Sequence, residues 1–152
     1  MKIKKIGLSL EVGNELLINL FEKGKNYYPD EYGGFLVGYY SDDKKHLYIT
    51  DLIFPKSFKA SENSFERSTK GVMRKLRNYY KETPKKFYVG EWHTHPDNNS
   101  IFSLKDFSAM KEIINSPNSC LPNPVLLIIG YSKTKVDFGF YVCLKNKLYK
   151  YE

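Results

Sequence analysis

Cysteine is scarce: the 152-residue chain has only Cys120 and Cys143, with no CxxC spacing. That excludes the disulfide framework of a small secreted protein and predicts reduced thiols in a cytosolic compartment. The H-x-E and P-C-x-x-C signatures are also missing, which argues against a zinc nucleoside deaminase. No apolar run approaches the ~20 residues of a membrane span. The stretch Met1-Lys2-Ile3-Lys4-Lys5-Ile6 lacks the apolar core and cleavage site of a signal peptide. The expectation is a cytoplasmic protein with no membrane partner. Repeats, low-complexity tracts and linkers are absent, and 41% hydrophobic residues at this length fill one core rather than two, so one domain is expected over residues 1–152. The net charge is +7, but Lys2, Lys23, Lys44, Lys70, Lys111 and Lys147 are scattered rather than clustered. This favours an acidic protein partner or a lysine-rich proteome over nucleic acid.

What is present reads as alternating α and β elements. Ile3 to Leu10 is a short strand, and Glu11 to Lys23 carries Leu16, Leu17, Leu20 and Phe21 at helical spacing, ending near Gly24. Tyr32 to Tyr40 and His46 to Phe54 form a hairpin around the polar turn at 41–45. Pro55 to Arg67 is polar and irregular, and Ser68 to Lys81 is helical until Thr83-Pro84. Phe87 to Trp92 is a strand leading into the histidines. Ser103 caps a helix to about Ile114, and Val125 to Gly130, Val136 to Leu144 and Lys147 to Tyr151 are strands. The 13 tyrosines and 10 phenylalanines are core and strand content. His46 has no partner nearby in sequence and is expected at the surface.

The chemistry lies in Glu91-Trp92-His93-Thr94-His95-Pro96, followed by Ser103 and Asp106. On an extended strand His93 and His95 project to one side. Asp106, in the first turn of the next helix, can close a three-ligand metal site, and Pro96 ends the strand so that the loop 97–102 can curl back. Two imidazoles and a carboxylate suit Zn²⁺, and three protein ligands leave a fourth position for water, which is the layout of a catalytic zinc. Hydrolysis also needs a base. Glu31, at the start of the glycine-rich strand Tyr32 to Gly38, is the first candidate; Glu91 is the rival, two residues below the histidines and read as a supporting or solvated carboxylate.

Glu31 with Gly34 and Gly38, then His93, His95, Pro96, Ser103 and Asp106, resemble the signature of the JAMM (MPN+) metalloprotease family. In that pattern a glutamate at a strand start is followed by H-[S/T]-H, seven residues, a serine, two residues and an aspartate. Thr94 occupies the permitted slot and every spacing is kept. The resemblance implies a single α/β domain of the cytidine-deaminase-like type, a mixed central sheet flanked by about three helices. It also implies His93, His95 and Asp106 as zinc ligands, Glu31 as general base and acid, and Ser103 as donor to the tetrahedral oxyanion.

Active family members cut after the C-terminal glycine of ubiquitin or ubiquitin-like proteins. The stand-alone bacterial ones of this size, in anti-phage operons of the CBASS or ubiquitin-like type, are the nearest in kind. The implied partner is the C-terminal tail of a ubiquitin-like or conjugated protein, with the segment Phe54 to Phe65 as the wall of its groove. Two alternatives stay open: a processing peptidase for a sulfur-carrier precursor, and a non-catalytic basic module that binds nucleic acid.

Overall fold

Residues 1–116 and 121–152 are described by the computed structural model. Cys120 lies outside them. Cys143 is a buried free thiol whose pKa burial pushes up, as an inert core cysteine requires.

The centre of the molecule is β7 (Phe87–Pro96), antiparallel to β3 (Gly33–Tyr40) on one side and parallel to β8 (Val125–Tyr131) on the other. The sheet grows outward from it. Beyond β3 come β4 (His46–Ile53), β2 (Leu8–Val12) and the short β1 (Lys2–Ile3); beyond β8 come β9 (Val136–Leu144) and β10 (Lys147–Lys150). The result is an eight-stranded mixed sheet, with parallel pairs at β2–β4 and β7–β8.

Both faces are covered, which explains why Val125 to Tyr131 is apolar without alternation. On one face α1 (Asn14–Lys25) packs Leu20 among Leu36, Trp92, Leu127, Ile129 and Phe140. On the other, α3 (Leu104–Asn115) seats Met110 among Leu126, Ile128, Tyr141 and Cys143, while α2 (Val72–Tyr79) seats Val72 against Phe35, Val37 and Ile53. The expected mixed sheet with three helices is what forms.

Several boundaries differ from the sequence reading. Glu11 and Val12 belong to β2 rather than to the first helix, because they pair with Tyr48 and Ile49 of a strand more than thirty residues later. Gly24 does not end α1 but lies inside it, where a Cβ would come 2.3 Å from Thr94 Cγ2. Its role is close approach of helix to sheet. The first strand is broken at Lys4–Ile6 by a 3₁₀ turn closed by Gly7 at φ 65°. His46 is half-buried rather than free at the surface: its Nδ1 lies 2.6 Å from Ser9 Oγ across the β2–β4 pair.

The largest correction concerns Pro55 to Arg67. It contains a tight hairpin, β5 (Phe58–Ser61) and β6 (Ser64–Arg67), around the turn Glu62-Asn63. Its polar composition hides two aromatic anchors. Phe58 and Phe65 pack edge-on to Tyr32 with ring centroids 5.1 and 5.6 Å away, and Tyr27 stacks on Tyr32 at 3.8 Å.

Met110 is 1% exposed and fixes α3 to the sheet, so Met110→Ala should cost ~2–5 kcal/mol through lost burial and the cavity it leaves. Urea denaturation of the metal-free protein measures this. A change under about 1 kcal/mol would mean that α3 is held by something other than this contact.

Candidate metal centre

Strand β7 runs on through both histidines and stops at Pro96. Alternation sends Trp92 and Thr94 into the α1 face and Glu91, His93 and His95 to the opposite one. Ser103 caps α3 in a reciprocal capping box: its Oγ accepts from the Asp106 N–H at 3.2 Å, and its own N–H donates to Asp106 Oδ2 at 2.6 Å. The Ser103 hydroxyl also donates to Oδ2, at 2.7 Å. Oδ2 is thus fixed to the helix start, on the side of His95, and Oδ1 lies toward His93.

The three side chains converge. His93 Nε2 lies 3.0 Å from His95 Nε2 and 3.1 Å from Asp106 Oδ1, and His95 Nε2 lies 3.6 Å from Oδ2. A tetrahedral ion with ligands at ~2.0–2.2 Å keeps its donors roughly 3.3–3.6 Å apart. The observed spacing is within a few tenths of that, so these residues fit a divalent metal. His95 Nδ1 is 3.1 Å from the Asn99 carbonyl, which can only accept; the proton therefore sits on Nδ1 and the Nε2 lone pair is free for the ion.

The electrostatics follow from crowding of unlike charges. Burial works against the charge on Asp106, but the adjacent His93 and His95 rings outweigh it and hold the carboxyl well below its usual range. For His95, burial pulls the ring down and the nearby Asp106 carboxylate outweighs that pull, leaving it raised. Glu31 behaves differently: burial pushes its carboxyl above the ordinary range, against the opposing pull of His93 and His95. Its backbone N–H donates to the Ser61 carbonyl at 2.9 Å.

Thr94, between the histidines, is fully buried and ties β7 to the segment that bears Glu31. Its Oγ1 accepts from the Tyr32 N–H at 2.9 Å, and its own N–H donates to the Tyr32 carbonyl at 2.8 Å. Tyr28 Oη donates to Asp97 Oδ2 at 2.7 Å, a second tie between the loop before Glu31 and the loop after Pro96.

Glu91 is placed and neutralised apart from the metal donors. It pairs with Arg67 of β6 and accepts from Tyr88 Oη at 3.0 Å, while the Arg67 guanidinium lies 5.2 Å from the Phe35 ring centroid. The sequence reading weighed Glu91 but passed over Arg67, which sat in a stretch read as irregular. The Lys105 ammonium, one residue before Asp106, donates to Ser64 Oγ at 2.5 Å. The β5–β6 hairpin therefore touches all three parts of the site, at Glu31, at β7 and at α3.

The chain matches the family of prokaryotic homologs of the JAB domain over residues 14–141 and belongs to it, the JAMM/MPN family that the motif resembles. It is 36% identical over 103 residues to a CD-NTase/cGAS isopeptidase of Enterobacter hormaechei, a match that covers 66% of this chain and 56% of that protein. The chain thus spans little more than half the length of that relative. A probable metalloprotease of Sinorhizobium fredii, y4qB, is 27% identical over 113 residues, covering 72% of this chain and 68% of that protein. The solution structure of protein DSY2949 from Desulfitobacterium hafniense shares the fold, with a TM-score of 0.70 over 95% of this chain and 90% of that one at 15% identity.

The Arg67 and Glu91 side chains are 21% and 12% exposed, so removing one charge strands the other. Arg67→Met should cost ~3–5 kcal/mol, and Arg67→Met with Glu91→Gln should recover part of it. Urea denaturation of the two variants decides this, and a double variant no more stable than the single one would show that the pair is not the cause.

Proposed function

We propose that the protein is a zinc metallopeptidase that cleaves the isopeptide or peptide bond after the C-terminal glycine of a ubiquitin-like protein or conjugated enzyme, in a deconjugation step of an anti-phage system of the CBASS type. The observation that carries the hydrolytic reading is the convergence of His93, His95 and Asp106, together with the half-buried Glu31 carboxyl and its raised pKa. The isopeptidase name of the Enterobacter hormaechei relative supports the bond type.

In this reading His93, His95 and Asp106 would hold the zinc. Bound there, it would supply Lewis acidity and lower the pKa of water toward neutrality. Glu31 takes the proton of the attacking water and returns it to the leaving amine, and its raised pKa brings it toward the range where a carboxyl both accepts and releases a proton. The Ser103 hydroxyl turns from Asp106 Oδ2 to donate to the oxyanion; Oδ2 keeps the Ser103 N–H meanwhile.

The substrate tail adds to the outer edge of the β5–β6 hairpin. A Gly-Gly tail offers backbone groups and no side chains, so an unpaired strand edge satisfies it best. In the hairpin register Ser57 with Ser68 and Ser61 with Ser64 alternate with Phe58–Arg67 and Ala60–Phe65, and the Ser68 N–H donates to the Ser57 carbonyl. The N–H and carbonyl of Ala60 therefore point away from the ladder.

The purified protein should carry about one zinc per chain, lost in His93→Ala, His95→Ala and Asp106→Ala. Glu31→Ala should keep the zinc and lose ~10²–10⁴-fold in hydrolysis of a Gly-Gly-linked fusion. Elemental analysis alongside single-turnover kinetics tests both parts; full zinc in His95→Ala, or full activity in Glu31→Ala, would overturn the assignment.

Ala60→Pro should raise KM for the same fusion ~3–10-fold through one lost backbone hydrogen bond, with kcat and zinc content kept. Unchanged KM would place the tail elsewhere.

A further inference from the structure

One row of residues crosses three strands beside the metal centre. His95 on β7 is paired with Gly130 on β8, and Gly130 is paired with Asp137 on β9. The middle position has no side chain, and the loop after Pro96 lies in that gap. A Cβ on Gly130 would come 2.3 Å from the Asn99 carbonyl carbon, and one on Gly139 would come 2.4 Å from the Ser100 oxygen. The loop is held there by its most buried residue. Ser100 is 0% exposed; its hydroxyl donates to Asp137 Oδ2 at 2.6 Å, its N–H reaches the same oxygen at 3.4 Å, and its carbonyl accepts from Tyr141 Oη at 2.8 Å.

We infer that Asp137 is a positioning residue for the metal centre: by holding Ser100 over Gly130, it sets the Asn99 carbonyl that orients the His95 ring. The chain of contact is continuous, from Asp137 to the Ser100 hydroxyl, through one peptide unit to the Asn99 carbonyl, and from there to His95 Nδ1. A loop free to lift from the glycine saddle takes the carbonyl with it. His95 Nδ1 then loses its acceptor, the ring can turn, and the proton can move to Nε2, where it blocks the lone pair that faces His93 and Asp106. Asp137 is 42 positions from His95 in sequence and touches none of the three donors. The inference rests on the metal-site reading above.

The test is zinc affinity measured by chelator competition, with the imidazole ¹⁵N shifts of the metal-free protein as a second readout. Asp137→Ala and Ser100→Ala should each weaken zinc ~10–100-fold, as loss of a ligand's supporting contact does. The double variant should be no worse than either single one, because both break the same link. Asp137→Asn, which keeps an oxygen acceptor, should stay close to wild type. In the metal-free spectra the Nδ1–H form of His95 should dominate in wild type and give way to a mixture in Asp137→Ala. If Asp137→Ala does not fold, Ser100→Ala carries both readouts alone. Wild-type zinc affinity together with an unchanged His95 tautomer in the folded variants overturns the inference. His95→Ala separates the two levels: if it loses zinc while the positioning variants keep it, only this inference falls, whereas zinc retained in His95→Ala removes the metal site itself.

Discussion

Everything in the site depends on the register of one strand. β7 is hydrogen-bonded on both sides, so its period of two is rigid, and a slip of one residue would turn Trp92 and Thr94 toward Asp106 and bury both histidines under α1. The register is fixed by fit as well as by pattern. Gly33 lies opposite His93, where any Cβ would fall 2.1 Å from the Trp92 carbonyl oxygen. Thr94 bonds the Tyr32 backbone with both its amide and its hydroxyl. The small polar residue between the histidines therefore secures the neighbouring strand, and with it the segment that carries Glu31.

The carboxylates around β7 are sorted by what neutralises them. Glu91 has Arg67, and Asp106 has two imidazoles and the start of a helix. Glu31 has less to oppose its burial, and its carboxyl rises where that of Asp106 falls. Burial thus raises one carboxyl, imidazole neighbours lower another, and a guanidinium pairs with the third.

The convergence of His93, His95 and Asp106 was legible because its geometry is local. Two histidines at strand spacing and an aspartate three residues after a serine cap need no distant partner to be interpreted. The family signature added Glu31, which no local rule links to the histidines. What stayed hidden depends on contacts far away in sequence. Glu11 and Val12 look helical until β4 pairs with them, and Gly24 resembles a helix stop until Thr94 is packed against it. The β5–β6 hairpin was masked by polar residues, since its two phenylalanines pack on each other and on Tyr32, a partner outside the segment. The carbonyl of Asn99 was beyond reach, because a backbone acceptor leaves no mark on side-chain spacing.

The distribution of the site along the chain separates two events in its assembly. His93, His95 and Asp106 fall between positions 93 and 106, joined by a single loop, whereas Glu31 lies 62 residues before His93. Closing so short a loop costs little entropy compared with the pairing of β3 and β7. An ion held by these three side chains would therefore keep part of its hold on the unfolded chain, which would lessen the stabilisation it gives to the folded state. The cluster is confined to fourteen consecutive residues. The carboxylate that would put the ion to use arrives only with the completed sheet.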